Sequence, residues 1–408
     1  MPILGLCGRV RSVSYLLNDM SSHSAPVPFC ICWGIIATGS IAETFAKDLL
    51  VDPASRGVTD VSHLLVAVAS SRSSEIASRF INKVGAPSSC IAYGSYDALV
   101  ADPRVDVVYV ASPHSHHYQN AMLGLQAGKH VLCEKPFTVT ARQAHRLVET
   151  ARARERFLME AMWTRFLPIS VQIRQKVQNG AIGPVIRIFA DNSIGTNALK
   201  ELKDSYLTKK ELAGGALLDL GVYPIHWIIQ TLAPTSDPKP SSILSATTPL
   251  LGAGVDESTT ILMTFSATSP SPVLVQAIAS SSLRAMADPD GHTPVVRIQG
   301  DRGEIQIYGR PWCPSKYRII KREQHFGITG EGEEFEYRVP GGAHGLCFEA
   351  DEVARCVRDE RQESAVMPWT ESLIVIEILD AVREAHGLFF SDIVEADEYP
   401  VNMPAKMN

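Results

Sequence analysis

Val107 to Pro136 reads VVYVASPHSHHYQNAMLGLQAGKHVLCEKP: two short apolar runs separated by a histidine-dense loop and a helix-compatible stretch. Runs this apolar suit strands buried on both faces, and a helical crossover between two such strands belongs to a parallel sheet. Glu134-Lys135-Pro136 then falls at the carboxyl end of the second strand. That edge of an open α/β sheet is where ligands sit, so a lysine held there between an acid and a proline is placed for chemistry.

Size limits what surrounds this unit. The 408 residues exceed one ordinary core and predict two or three domains. Thirty-eight basic residues stand against 44 acidic ones, a net charge of −6, with no Lys/Arg-rich run. No broad basic face for nucleic acid is therefore expected. No apolar stretch approaches the ~20 residues of a membrane span, so no membrane partner is expected either. Eight cysteines contain no Cys-x-x-Cys pair, which suits reduced, buried thiols of a cytoplasmic protein and lacks the spacing of a zinc site. Residues 1–29, with Arg9, Arg11 and a Ser-rich tract, read as a flexible leader or an upstream start, Met20 being available. A mitochondrial presequence is the alternative, but its amphipathic stretch is short.

The first half carries a nucleotide-binding pattern. Ile31 to Ile36 is a buried strand; Ala37-Thr38-Gly39-Ser40-Ile41-Ala42 and a helical run to Leu50 follow. Strand, glycine turn and helix together can present amides and a helix dipole to a pyrophosphate, although the same fragment also describes a plain βα turn. The next strand, His63 to Ala69, ends in Ser70-Ser71-Arg72. An NAD site wants a carboxylate there; an arginine among hydroxyls suits a 2′-phosphate, so NADP is expected over NAD. Strands at Asp106–Ala111 and His130–Cys133 alternate with helices at Tyr118–Ala127 and Ala141–Arg154, extending a parallel sheet. The loop Ser112-Pro113-His114-Ser115-His116-His117 lacks a carboxylate to complete a metal frame. It is expected, through Ser112, Pro113, His114 and His117, to floor the nicotinamide pocket, and no metal site is expected.

From Pro184 the texture changes to short β-rich runs with few helices between them, which predicts a largely antiparallel sheet. A helix beginning at Gly214-Gly215 carries Asp219 and Tyr223 four residues apart, on one face. Buried polar groups need partners. Either both point at a polar substrate beside Lys135, or Tyr223 packs its ring and bonds a backbone carbonyl. Pro224 suggests a bend there.

Glu134-Lys135-Pro136, the preceding Gln126 to Cys133, and Gly-Gly-x-x-x-Asp-x-Gly-x-Tyr from Gly214 to Tyr223 resemble the Gfo/Idh/MocA oxidoreductases over residues 31 to 390. Glu160-Ala161-Met162-Trp163-Thr164-Arg165-Phe166-Leu167-Pro168 is similar to a motif of the branch holding dihydrodiol dehydrogenases and NADP-dependent D-xylose 1-dehydrogenases. The resemblance implies an α/β protein: an N-terminal Rossmann domain (30–158) and a C-terminal α/β domain (159–395) with an open, mainly antiparallel sheet, then a tail (396–408). It implies hydride transfer between NADP and a sugar or cyclic vicinal diol, with Lys135 as catalytic lysine, Tyr223 as acid/base and Asp219 in support. Ala37, Thr38, Gly39, Ser40, Ile41, Ser71, Arg72, Ser112, Pro113, His114, His117, Glu134 and Lys135 would hold the cofactor. Trp163 and Trp312 would wall the substrate, with Arg165, Phe166 and His226 beside them. A homodimer through the open sheet is implied as well. Ala37 replaces the usual first glycine, and His114 stands where many members have asparagine. A non-catalytic NADP-binding regulator and a reductase of a carbonyl or imine metabolite are the rival readings.

Overall fold

The computed structural model describes residues 27–233, 238–266, 274–322 and 332–401. Two sheets organise them. The first is six-stranded and parallel, in the order β3-β2-β1-β4-β5-β6, from β1 (Phe29–Ile36), β2 (Val61–Ala69), β3 (Ile91–Tyr93), β4 (Val107–Val110), β5 (His130–Glu134) and β6 (Leu158–Ala161). Its strands are apolar because helices cover both faces: Ile31, Trp33, Ile35, Val107 to Val110 and Val131 to Cys133 are all buried. On one face Phe45, from the helix Ser40–Leu49, stacks on Tyr109 with ring centroids 3.8 Å apart. The alternation read from the sequence is present, and β3 and β6 are additional. Both are too short to announce themselves, at three and four residues.

The second sheet has eight strands in the order β14-β13-β12-β11-β7-β10-β9-β8. They are β7 (Val185–Ser193), β8 (Pro240–Leu250), β9 (Val255–Phe265), β10 (Val275–Ser282), β11 (Val296–Gly300), β12 (Gly303–Arg310), β13 (Cys313–Lys321) and β14 (Glu333–Glu336). Every pairing is antiparallel except β7 with β10. The edge strand β8 is rich in proline, serine and threonine and lacks an apolar strand pattern; proline is tolerated at an edge, where one ladder is missing. Alternation along β9 sends Ile261 and Met263 inward and leaves Leu262 on the open face. The helix Val222–Leu232, buried along its whole length, covers the inner face against β7 and β10.

That helix corrects two expectations. The bend was placed at Pro224, but the irregularity is a wide π-type turn at Leu217–Gly221, one turn earlier. Pro224 is the third residue of the regular helix, and the Leu220 carbonyl four residues before it accepts instead from the Asn192 side chain at 3.0 Å. Lys210–Leu232 is also, by length and composition, apolar enough to cross a membrane, against the expectation that no stretch was; its apolar window lies wholly inside the protein.

The chain then returns to the first sheet. The helix Cys347–Arg358 packs on β1 and β2, and Trp369–Ala385 on the helix Ala141–Ala153. Residues 396–401 bond to the first sheet's helices, with Gln119 donating to the Glu398 carbonyl at 2.9 Å and Gln143 to that of Ala396 at 2.9 Å. Most of the expected leader, residues 1–26, lies outside the described residues. No disulfide joins the cysteines of the described residues, and their burial is only partly as expected: Cys133, Cys347 and Cys356 are buried, whereas Cys30 is exposed and Cys32, Cys90 and Cys313 are half-buried.

Ala37, the first residue after β1, has φ +78°. A side chain in that left-handed region costs ~1–2 kcal/mol, which is why glycine suits the position. Ala37→Gly should therefore stabilise the protein. Removing the strain, less the ~0.4–1 kcal/mol that glycine adds to unfolded-chain entropy, leaves a gain of about 0.5–1 kcal/mol in denaturant unfolding. An unchanged or lower stability would show that the turn holds alanine without strain.

Candidate active site

One cleft of about 650 Å³ runs along the carboxyl edge of the parallel sheet and under the helix that carries Tyr223. At one end the helix Ser40–Leu49 points its N-terminus inward, with no side chain capping it at Gly39. A Cβ at Gly39 would meet nothing within 4 Å, so the turn borders open space. Free N–H groups at a helix N-terminus favour an anion. Ser71 and the exposed Arg72 stand at the same end, with the Arg72 backbone N–H bonded to Ser70 Oγ at 3.3 Å. Amide donors for a pyrophosphate and a cation for a further phosphate fit NADP.

The middle of the cleft is floored by Ser112, Pro113, His114 and His117. Each histidine of this loop is engaged by the protein. The His117 ring lies between the carbonyls of Ser112 and Pro136, 2.8 Å from each, which ties the loop to the Glu134-Lys135-Pro136 segment. Burial pushes it down to about 3, so the ring is neutral and donates to only one of the two. His114 Nδ1 lies 2.9 Å from the Ala213 carbonyl, and Ser115 meets His116. No group of three or more metal-ligating side chains occurs among the described residues.

The far end holds the reactive set. Lys135 leaves the end of β5, and its Nζ donates to the backbone oxygen of Asp219 at 3.0 Å and to Oδ1 at 2.8 Å. Tyr206 OH donates to the same Oδ1 at 2.8 Å, and His114 Nε2 lies 3.5 Å from it. Burial is the largest single influence and would lower the lysine, but Asp219, joined by Tyr223 and Tyr206, holds the ammonium well above its ordinary value. Burial likewise works against the Asp219 carboxylate, yet Lys135 holds it well below the usual range. The pair is therefore ionised throughout the working pH range. Tyr223 faces the same space, its phenol raised by burial with Lys135 opposing. The Lys135 Nζ lies over its ring, 5.0 Å from the centroid, and Trp312 is 6.2 Å from it. Trp163 donates its Nε1–H to Tyr223 OH at 3.1 Å. An ammonium, a phenol and an ordered carboxylate against two indoles can move a proton at an oxygen bound to a ring-shaped substrate.

The expected residues divide clearly. Ala37, Thr38, Gly39, Ser40, Ile41, Ser71, Arg72, Ser112, Pro113, His114, His117, Glu134, Lys135, Trp163, Asp219, Tyr223 and Trp312 all line the cleft. Arg165, Phe166 and His226 do not. Trp163–Phe166 forms a short helical turn, so while Trp163 faces the cleft, Arg165 turns away and pairs with Glu371 at 2.5 Å. Phe166 joins the core, and His226 Nε2 lies 3.4 Å from the buried Glu160. All three are buried beside interior neighbours rather than along the cleft.

Tyr206 was missed. It opens a three-residue 3₁₀ turn, Tyr206–Thr208, too short to show a periodicity, and only tertiary contact brings it to Asp219. The surviving signal is Gly214, since a Cβ there would stand 2.4 Å from the Tyr206 carbonyl oxygen. The first glycine of the motif thus exists to admit the Tyr206 strand of backbone. Gly215, at φ +112°, accommodates the turn into the helix.

Beneath Lys135, Glu134 is buried and accepts a short hydrogen bond from Tyr109 OH. Burial raises its carboxyl to about 7, the tyrosine bond opposing. A carboxyl raised on folding binds more protons folded than unfolded between about 4 and 7, so its contribution to stability falls as pH rises through that window. Glu134→Gln, a neutral isostere, should flatten the loss of stability between pH 5 and pH 8, read as denaturant midpoints across pH. A parallel decline in both proteins would mean that Glu134 titrates normally.

Two family profiles match the chain: an oxidoreductase family with NAD-binding Rossmann fold over residues 31–162, and the GFO/IDH/MocA C-terminal domain over residues 170–306. A D-xylose 1-dehydrogenase (NADP(+)) from Hypocrea jecorina is 45% identical over 92% of this chain and 97% of its own length. A trans-1,2-dihydrobenzene-1,2-diol dehydrogenase from Sus scrofa is 33% identical over 88% and 97%. In fold, an NAD binding oxidoreductase from Klebsiella pneumoniae superposes with TM-score 0.72 at 20% identity, covering 87% of this chain and 96% of its own. An aldose-aldose oxidoreductase from Caulobacter crescentus does so with TM-score 0.68 at 19% identity, covering 87% and 97%. With both halves matched and the cleft built where their two sheets meet, the chain belongs to the Gfo/Idh/MocA oxidoreductase family.

Proposed function

We propose that this protein is an NADP-dependent dehydrogenase of sugars or cyclic vicinal diols, of the D-xylose 1-dehydrogenase type, with Tyr223 as acid/base. The observation that carries it is the meeting of Lys135, Asp219 and Tyr223 at one end of a cleft whose other end offers a helix N-terminus and Arg72. The relatives named as NADP-dependent D-xylose and dihydrobenzenediol dehydrogenases support the substrate class. Residues 30–158 would hold the cofactor and 159–395 most of the substrate walls.

Bound NADP supplies the hydride acceptor or donor at C4 of its nicotinamide. The protein's part is proton chemistry and orientation. Asp219 takes two of the three Lys135 protons, one on its backbone oxygen and one on Oδ1, and so aims the third. That third N–H can reach a substrate oxygen and stabilise negative charge as it develops there. The same ammonium, over the Tyr223 ring, favours the phenolate needed to accept a hydroxyl proton in oxidation. In reduction the neutral phenol, the form that burial favours, donates the proton. Trp163 and Trp312 offer flat apolar faces on which the C–H side of a pyranose can lie.

The test is NADP⁺ reduction against a panel of aldoses and cyclic diols, with NAD⁺ in parallel and Lys135→Ala beside the wild type. Turnover with NADP⁺ in preference to NAD⁺, lost by about 10²–10³-fold in K135A, is the expected result. A folded K135A enzyme with near-normal turnover would remove the lysine from the mechanism. No turnover despite NADP binding would favour the regulator.

The open face of the second sheet is the proposed homodimer surface. Leu244 and Leu262 are 63% and 37% exposed on neighbouring strands β8 and β9, an apolar strip that a second copy would cover. Sedimentation should give twice the chain mass, and Leu244→Glu with Leu262→Glu should halve it; a wild-type monomer at micromolar concentration would refute the dimer.

A further inference from the structure

Trp163 enters the site as an aromatic wall, but its polar edge has a separate partner. Its Nε1–H donates to Tyr223 OH at 3.1 Å, with both side chains buried. Lys135 does not make that contact: two of its protons go to Asp219, and its Nζ lies over the face of the Tyr223 ring. Tyr206 OH is likewise committed to Asp219. Among the described residues the indole is thus the group that hydrogen-bonds the oxygen on which a proton must be gained and lost.

An indole nitrogen can donate and cannot accept. The bond therefore has one direction, and it leaves the phenol's own proton to point elsewhere, into the cleft. A donor on a phenol oxygen also favours the charged form, and it strengthens as charge appears there. We propose that Trp163 is a catalytic residue, whose N–H orients the Tyr223 hydroxyl toward the substrate and stabilises its phenolate during proton transfer. This rests on the reading of Tyr223 as the acid/base. In oxidation the Tyr223 phenolate takes the substrate O–H proton, the C–H electron pair leaves as hydride to C4 of the NADP⁺ nicotinamide, and the C=O bond forms. Neutral phenol and NADPH remain, and the phenol proton passes to solvent before the next turnover. Reduction runs the same steps backward. Throughout, the indole keeps its own proton.

Trp163→Phe retains an aromatic wall and removes the donor. Oxidative kcat should then fall about tenfold at pH 7, while the acid limb of its pH profile moves up by about one unit and the alkaline plateau is largely retained. KM for the sugar should change less than about threefold, since a flat ring remains. A wall alone gives the opposite pattern: a raised KM with the limb unmoved, which would overturn the proposal. Where the phenylalanine variant fails to bind NADP, β-(3-benzothienyl)alanine at position 163 keeps the bicyclic shape without the N–H, and the same limb shift is required of it. Tyr223→Phe separates the two claims. If Y223F turns over normally, the acid/base reading falls. If Y223F is inactive while the limb of W163F stays in place, only the role of Trp163 falls.

Discussion

The ion pair between Lys135 and Asp219 holds the site together. Lys135 ends a strand of the parallel sheet, and Asp219 lies in the irregular turn leading into the helix that lines the second sheet, so the bond spans the two halves of the molecule. Withdrawing two charges from water costs several kcal/mol per ion, and Coulomb attraction offsets this only when further hydrogen bonds satisfy the remaining groups. Here they do: Asp219 Oδ1 also accepts from Tyr206, and its backbone oxygen accepts a second lysine proton. The π-type turn at Leu217–Gly221 carries Asp219, so one irregular segment supplies both the carboxylate and the backbone oxygen that hold the lysine.

Below this pair lies a layer of acids that makes no ion pair with the lysine. Tyr109 bonds Glu134, and Glu349 is buried with both oxygens lacking a partner among the described residues. Burial, reinforced by Glu134 and Asp48, holds Glu349 well above the ordinary carboxyl range, so it is neutral at working pH. Asp48, by contrast, accepts from the backbone N–H groups of His344, Gly345 and Leu346. The start of the helix Cys347–Arg358 is thereby anchored to the helix Ser40–Leu49 of the first sheet.

The parallel sheet was legible because its strands are uniformly apolar and its helices recur at a regular spacing, a pattern that buried crossovers impose. Strand β8 and the three-residue β3 were not, since an edge strand and a very short one carry no periodic signal. In the site, Lys135, Asp219 and Tyr223 were readable from spacing and resemblance: the end of a strand and one face of a helix are local properties. Arg72 was readable for the same reason, in the turn just past the strand Val61–Ala69. Arg165 and His226 were expected beside the substrate but lie outside the cleft lining, because a polar side chain among apolar ones has two outlets, a ligand or an internal neighbour. Glu371 and Glu160, their neighbours inside, lie far away in the chain.

The sequence by itself determined the alternation of strand and helix, the placement of the lysine at a sheet edge, and the aspartate and tyrosine on one helical face. All of these follow from periodicities of a few residues. Tertiary structure alone decided that Tyr206 would reach Asp219, that the Lys135 protons would be spent on Asp219, and that the Trp163 indole would bond the Tyr223 oxygen. Those contacts join residues 13, 84 and 60 positions apart. Hydrogen bonds depend on angles and tenths of an ångström, and only the docking of the two sheets sets distances that fine.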